Sequence, residues 1–372
     1  MRMAEGGGTG LPSGRVDAVR RPRATRPRVK GAGRRPETAA AGAVPPRPGA
    51  MPLGHSEAKG GVGRMLEPET VAAHRPRPAG RASEIVAGLL RTMRPQQWTK
   101  NVFVFAGLVF GRVFLHPLGV LWALWAFAVF CLLSSAVYCL NDYVDRDRDR
   151  LHPRKRLRAI ASGLVPPALG LALAVALALI GLAGAAALAP SFFVIALAYL
   201  ALNVAYSFGL KHVPLWDALT VAGGFVLRAL AGTTALHVAA SPWLLVCTYL
   251  VALYLSLGKR WSDAVNLAPE ERAYRRAALV YEPGLVRLFM QVVMATTLMS
   301  YALYAVEGPH SPWMLVTLPF VIYGLFHYQH MVESRALGGA PESAIFQDRA
   351  FLVNAGAFAA TALCVLLASG TR

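Results

Sequence analysis

From residue 101 onward the chain alternates apolar blocks of about twenty residues with short polar interruptions. A soluble domain would arrange its apolar residues as stripes. Unbroken blocks of this length match the hydrocarbon core of a bilayer when helical. The pattern predicts an all-α polytopic membrane protein with about nine spans, near 101–117, 119–141, 164–182, 186–206, 214–236, 242–258, 286–306, 312–331 and 350–369. Pro190 and Pro319 fall inside two of them, which is tolerated where neighbouring helices satisfy the freed backbone groups. Residues 83–100 mix polar and apolar positions at helical spacing and end in Arg94-Pro95-Gln96-Gln97-Trp98-Thr99-Lys100-Asn101. Trp98 between Arg94 and Lys100 predicts a segment at the water–headgroup boundary.

Residues 1–83 are rich in Gly, Pro, Ala and Arg and contain no apolar run. They are expected to form a disordered tail, without a signal-peptide core, ahead of a membrane domain over 84–372. Met51 and Met65 offer downstream starts. The chain is 55% hydrophobic with a formal charge of +18. Outside the tail, that charge sits in loops. The loop after the second span carries Arg146, Arg148, Arg150, Arg154, Lys155, Arg156 and Arg158; later ones on the same side carry Lys211, Lys259, Arg260, Arg272, Arg275, Arg276, Arg335 and Arg349. The opposite loops hold Arg112 and almost nothing else basic. The positive-inside rule puts the basic side, and the N-terminus, in the cytoplasm and accounts for the charge without nucleic acid. Cys131, Cys139, Cys247 and Cys364 lie in or beside apolar blocks without metal or disulfide spacing, as small buried hydrophobes do.

The chemistry-bearing pattern closes the second span: Asn141-Asp142-Tyr143-Val144-Asp145-Arg146-Asp147-Arg148-Asp149. On a helix Asn141, Asp142, Asp145 and Asp149 fall within an arc of about 100°, with Asp147 pointing elsewhere. Converging carboxylates at a membrane mouth repel one another unless a cation joins them, and oxygen-only ligands suit Mg²⁺. A solvated helix end laced by arginines is the structural alternative. His152-Pro153 then ends the helix. The surrounding cations are Lys155, Arg156, Arg158, Lys211, Lys259, Arg260 and the intramembrane Arg228. Carboxylates beside such cations describe a site for a diphosphate leaving group.

These residues resemble the UbiA superfamily of membrane prenyltransferases, over roughly residues 88–370, and within it the decaprenyl-phosphate phosphoribosyltransferase branch. The resembling strings are Arg94–Asn101, the acidic motif with His152-Pro153 and Lys155-Arg156, Tyr206–His212, Arg228–Gly232, Gly258-Lys259-Arg260, and Gly339–Glu342 with Asp348-Arg349. Aromatic prenyltransferases of the superfamily have a second acidic motif after the sixth span; here that stretch reads Gly258-Lys259-Arg260-Trp261-Ser262-Asp263. The resemblance implies a Mg²⁺-dependent enzyme of a bacterial plasma membrane, active on its cytoplasmic side. It would join the phosphoribosyl group of 5-phosphoribosyl 1-diphosphate (PRPP) to a polyprenyl phosphate. Asn141, Asp142, Asp145 and Asp149 would hold the metal, and Asp142, Asp145 and Asp149 would be catalytic. Arg94, Lys100, Tyr138, Lys155, Arg156, Tyr206, Lys211, Asp217, Arg228, Lys259 and Arg260 would bind substrates, Asp217 by orienting ribose hydroxyls. Two other readings stay open: prenyl transfer to an aromatic acceptor, and a non-enzymatic transporter or scaffold.

Overall fold

The computed structural model describes residues 82–266, 281–307, 312–334 and 347–368. The expected tail up to residue 81, Arg272, Arg275, Arg276, Arg335 and the string Gly339–Glu342 lie outside the described residues. The helices are α1 (Ala82–Met93), α2 (Ala106–Phe110), α3 (Pro117–Leu151), α4 (Pro167–Leu188), α5 (Pro190–Phe208), α6 (Trp216–Ala235), α7 (Pro242–Asn266), α8 (Pro283–Glu307), α9 (Leu318–Ser334) and α10 (Arg349–Ala368), with 3-10 turns between several of them. No strand occurs among the described residues.

Seven helices, α3 to α8 and α10, are long and apolar enough to cross a membrane, so this is a multi-pass membrane protein. The expected spans at 101–117 and 312–331 take other forms. The first is broken into a 3-10 segment Pro95–Phe105, the five-residue α2 and a 3-10 turn Val113–Leu115. Backbone contact with α6 explains the departure. A Cβ on Gly232 would lie 1.8 Å from the Val104 carbonyl oxygen, and one on Gly107 would lie 2.7 Å from the Thr233 nitrogen. The apolar block is therefore spent on docking against α6 rather than on one straight helix. The second begins as a 3-10 turn, Pro312–Thr317, and becomes α9 with Pro319 in its first turn.

One packed core joins α3, α5 and α6 through Phe130, Leu133, Phe192, Tyr199 and Ala231. A second joins α7, α8 and α9 through Tyr254, Met290, Tyr328 and Met331. Buried Gly170, Ala174, Leu177, Gly181 and Ala185 recur every three to four residues along α4, and a Cβ on Gly181 would lie 2.6 Å from the Leu133 side chain, so small residues let α3 approach closely. Most of the other α4 positions are exposed, Val175, Leu179 and Ile180 among them, as lipid contact requires.

The feature that positions the site is the length of α3. Its 35 residues rise roughly 50 Å, against about 30 Å of hydrocarbon. The excess carries the acidic motif out of the apolar layer on a rigid helix. It stops at Leu151, with His152 extended as its cap, as His152-Pro153 predicts.

Candidate active site

Three elements converge on the last turns of α3, and each brings a cation. Arg94 joins α1 to the 3-10 segment with a positive φ of 53°. Such a conformation is costly for a residue with a Cβ, and Arg94 is held in it by tertiary contacts. Its guanidinium lies 5.1 Å above the Tyr138 ring and 2.5 Å from Asp142 Oδ1. Trp98 donates to Ser135 Oγ at 3.0 Å and pins this segment to α3.

The loop after α3 supplies the second cation. Ile160 and Val165 are fully buried against Leu89 and Tyr143, which anchors the loop's backbone. Arg158 therefore turns inward. Its Nη1 donates to Asp142 at 3.0 Å and to Asp149 at 2.7 Å. Lys155 lies in the 3-10 turn Lys155–Leu157 with Arg156 exposed beside it. From the turn after α5, Lys211 Nζ donates to Asn141 Oδ1 at 3.1 Å and to Asp145 Oδ1 at 2.6 Å. Arg148 meets His212 at 2.7 Å alongside.

The shared arc thus resolves into two pairs. Asp142 and Asp149, each 3% exposed, share Arg158; Asn141 and Asp145 share Lys211. Among the described residues no three carboxylate, histidine or cysteine side chains converge on one point. Oxygen atoms from two residues already meet one positive nitrogen in each pair. That donor set fits a hard cation that takes one or two carboxylates and fills its remaining positions with phosphate and water oxygens. Asp147 pairs instead with Arg146 and Arg150 at the surface, as its phase predicts.

Three further predicted residues, Asp217, Arg228 and Arg260, are engaged away from the acidic motif. Asp217, in the first turn of α6, accepts from Arg260 Nε at 2.9 Å on one oxygen and from the Tyr281 hydroxyl at 2.5 Å on the other; the Tyr281 oxygen accepts from the Leu215 N–H at 2.8 Å. Burial first, then the bond to Asp217, pushes the Tyr281 phenol well above its usual range. Leu215 has a positive φ of 66°, a strained link held by that contact. Arg228 is 6% exposed and donates to Asn101 Oδ1 at 2.8 Å, the Gly224 carbonyl at 3.0 Å and Tyr199 Oη at 2.8 Å, with its guanidinium 4.8 Å above the Tyr199 ring. It fastens the 3-10 segment to α5 and α6. Lys100 and Lys259 are half-buried, the latter on α7 beside Arg260, and Tyr206 at the end of α5 lies within electrostatic reach of Arg260. Arg158 and Tyr281 are absent from the substrate set read from sequence. Arg158 is one of the cations that the sequence places beside the acidic motif, but no local signal tells which arginine of that loop turns inward.

A helical membrane bundle with paired acidic and basic side chains at one helix end defines a class of polytopic membrane proteins with a charged polar site. The chain belongs to the UbiA prenyltransferase family, whose match spans residues 101–355. It is therefore a membrane-embedded transferase. It is 35% identical over 286 residues to decaprenyl-phosphate phosphoribosyltransferase of Mycobacterium tuberculosis, covering 75% of this chain and 94% of that one. The protein of the same name from Corynebacterium glutamicum is 33% identical over 319 residues, covering 81% and 92%. Among solved structures, a UbiA homologue from Archaeoglobus fulgidus bound to GPP and Mg²⁺ superposes with a TM-score of 0.60 at 20% identity, over 75% of this chain and 99% of that one. Digeranylgeranylglyceryl phosphate synthase superposes with a TM-score of 0.58 at 14% identity, over 76% and 99%. These two likenesses establish the fold.

Proposed function

We propose that the enzyme transfers 5-phosphoribose from PRPP to a polyprenyl (decaprenyl) phosphate. It would release pyrophosphate and form polyprenylphosphoryl 5-phosphoribose, a precursor of lipid-linked arabinose for cell-wall arabinan. The observation that carries the reading is the set of basic side chains placed directly on the acidic motif. Charges of both signs, gathered at one helix end beside lipid, suit a polyphosphate donor and an anionic lipid acceptor. The names of the relatives that match most of the chain favour the phosphoribosyl donor over a prenyl diphosphate.

Asn141, Asp142, Asp145 and Asp149 would hold a Mg²⁺ ion, whose charge offsets that developing on departing pyrophosphate. Lys155, Arg156, Lys211 and Lys259 hold the donor's phosphates, and Arg94 and Lys100 hold the lipid phosphate. A phosphate oxygen of the acceptor bonds to the anomeric carbon as the bond from that carbon to the diphosphate oxygen breaks. The acceptor is already anionic at neutral pH, so orientation and charge stabilisation suffice without a strong general base. The site faces the cytoplasm of a bacterial plasma membrane, where a soluble sugar diphosphate is available.

Membranes containing the enzyme, given radiolabelled PRPP and polyprenyl phosphate, should pass label into the lipid phase, and EDTA should abolish this. Ribose 1-diphosphate, lacking the 5′-phosphate, should be a poor donor. An enzyme that ignores PRPP and prenylates an aromatic acid refutes the assignment.

A further inference from the structure

Arg158 has a role that the reading above leaves open. Two buried carboxylates, seven residues apart on α3, share its Nη1 at 3.0 Å and 2.7 Å. The Asp142 oxygen it contacts also accepts from Arg94. Its position is fixed by its neighbours: the Arg158 carbonyl accepts from the Ser162 N–H at 2.8 Å, Ala159 accepts from the Val165 N–H at 2.9 Å, and Ile160 between them is fully buried. Left alone, Asp142 and Asp149 would repel each other and pay the cost of desolvation.

We propose that Arg158 is the resident counter-ion of the acidic motif. It holds Asp142 and Asp149 in the ligand-free protein and gives them up to the divalent cation. Guanidinium and metal need the same oxygen lone pairs, so Arg158 competes with the metal. Once released, its charge is available to the donor's phosphates. This rests on the metal-diphosphate reading above. It adds that an empty site is closed by its own cations, so that a bare carboxylate cluster never faces the lipid.

The test is Mn²⁺ binding to the purified full-length protein without substrate, followed by electron paramagnetic resonance and by thermal unfolding. Arg158→Gln should bind Mn²⁺ at least tenfold more tightly than wild type. It should also melt lower without metal and recover at saturating Mn²⁺. Arg150→Gln is the control: it removes an arginine from the same helix end whose carboxylate partner is the exposed Asp147, and its Mn²⁺ affinity should stay at the wild-type value. If Arg158→Gln does not fold, Arg158→Lys keeps the charge but loses the fork, and should bind Mn²⁺ several-fold more tightly. Equal affinity in wild type and the Arg158 variants overturns the competition while leaving the metal site standing. So does an equal gain in Arg150→Gln, which would mark general electrostatics. No Mn²⁺ binding in any of them removes the metal reading and this proposal together.

Discussion

Replacing Arg260 with methionine separates a structural ion pair from a phosphate contact. Arg260 is 5% exposed and Asp217 3%, so both charges are held away from water. The guanidinium makes a 2.9 Å bond to the carboxylate and a 3.0 Å bond to the Asp217 carbonyl. Arg260→Met leaves that carboxylate buried with the Tyr281 hydroxyl as its remaining side-chain partner, a change that typically costs about 3–5 kcal/mol. Asp217→Asn with Arg260→Met removes both charges, and replacing a whole buried pair with neutral groups is often near neutral. The double variant should therefore regain most of the loss, with a coupling energy of roughly 2 kcal/mol or more. Tyr281→Phe should cost about 1.5–3 kcal/mol, the usual worth of a hydrogen bond to a charged group. Equilibrium unfolding in mixed micelles reads these differences, and transfer kinetics on the same samples read function. If the pair braces the start of α6 against the C-terminal part of α7, the double variant keeps kcat/KM within about tenfold, or roughly 1.4 kcal/mol. An Arg260→Met variant as stable as wild type, or a double variant as unstable as the sum of the singles, refutes the bracing account. A stable double variant with turnover lost returns Arg260 to the phosphate.

Gly232→Val places side-chain carbons against the Val104 backbone and should abolish monodisperse protein on size exclusion; normal behaviour would contradict the close approach. Lys211→Ala should lower kcat/KM for PRPP by on the order of tenfold to a hundredfold, the usual worth of a charge-assisted phosphate contact; an unchanged value removes Lys211 from the site. Introduced cysteines at Ser162 and Ser241 should label only from the cytoplasmic and only from the outer side respectively, and the reverse would invert the orientation. Translation started at Met65 should retain transfer within about tenfold of full length, and a larger loss would give the preceding residues a function.

Much of the protein was legible in its residues because the physics involved is local. Block length against bilayer thickness gave a helical membrane protein, and seven of the blocks are helices long enough to cross. The phase of Asn141, Asp142, Asp145 and Asp149 along α3 is a property of a helix and survives folding, as does the stop at His152. Partners are another matter. Hydropathy could not show that the apolar stretch after Asn101 docks backbone to backbone on α6 rather than spanning alone, because that depends on Gly107 and Gly232 meeting across more than a hundred residues. Arg228 and Arg260 read as cations awaiting a ligand, yet Asn101 and Asp217 engage them inside the fold. Arg158, one of many loop arginines, became the bridge between two buried carboxylates only because Ile160 and Val165 beside it are buried. Charge type and helical phase are written in the chain; which charges face each other is decided by packing.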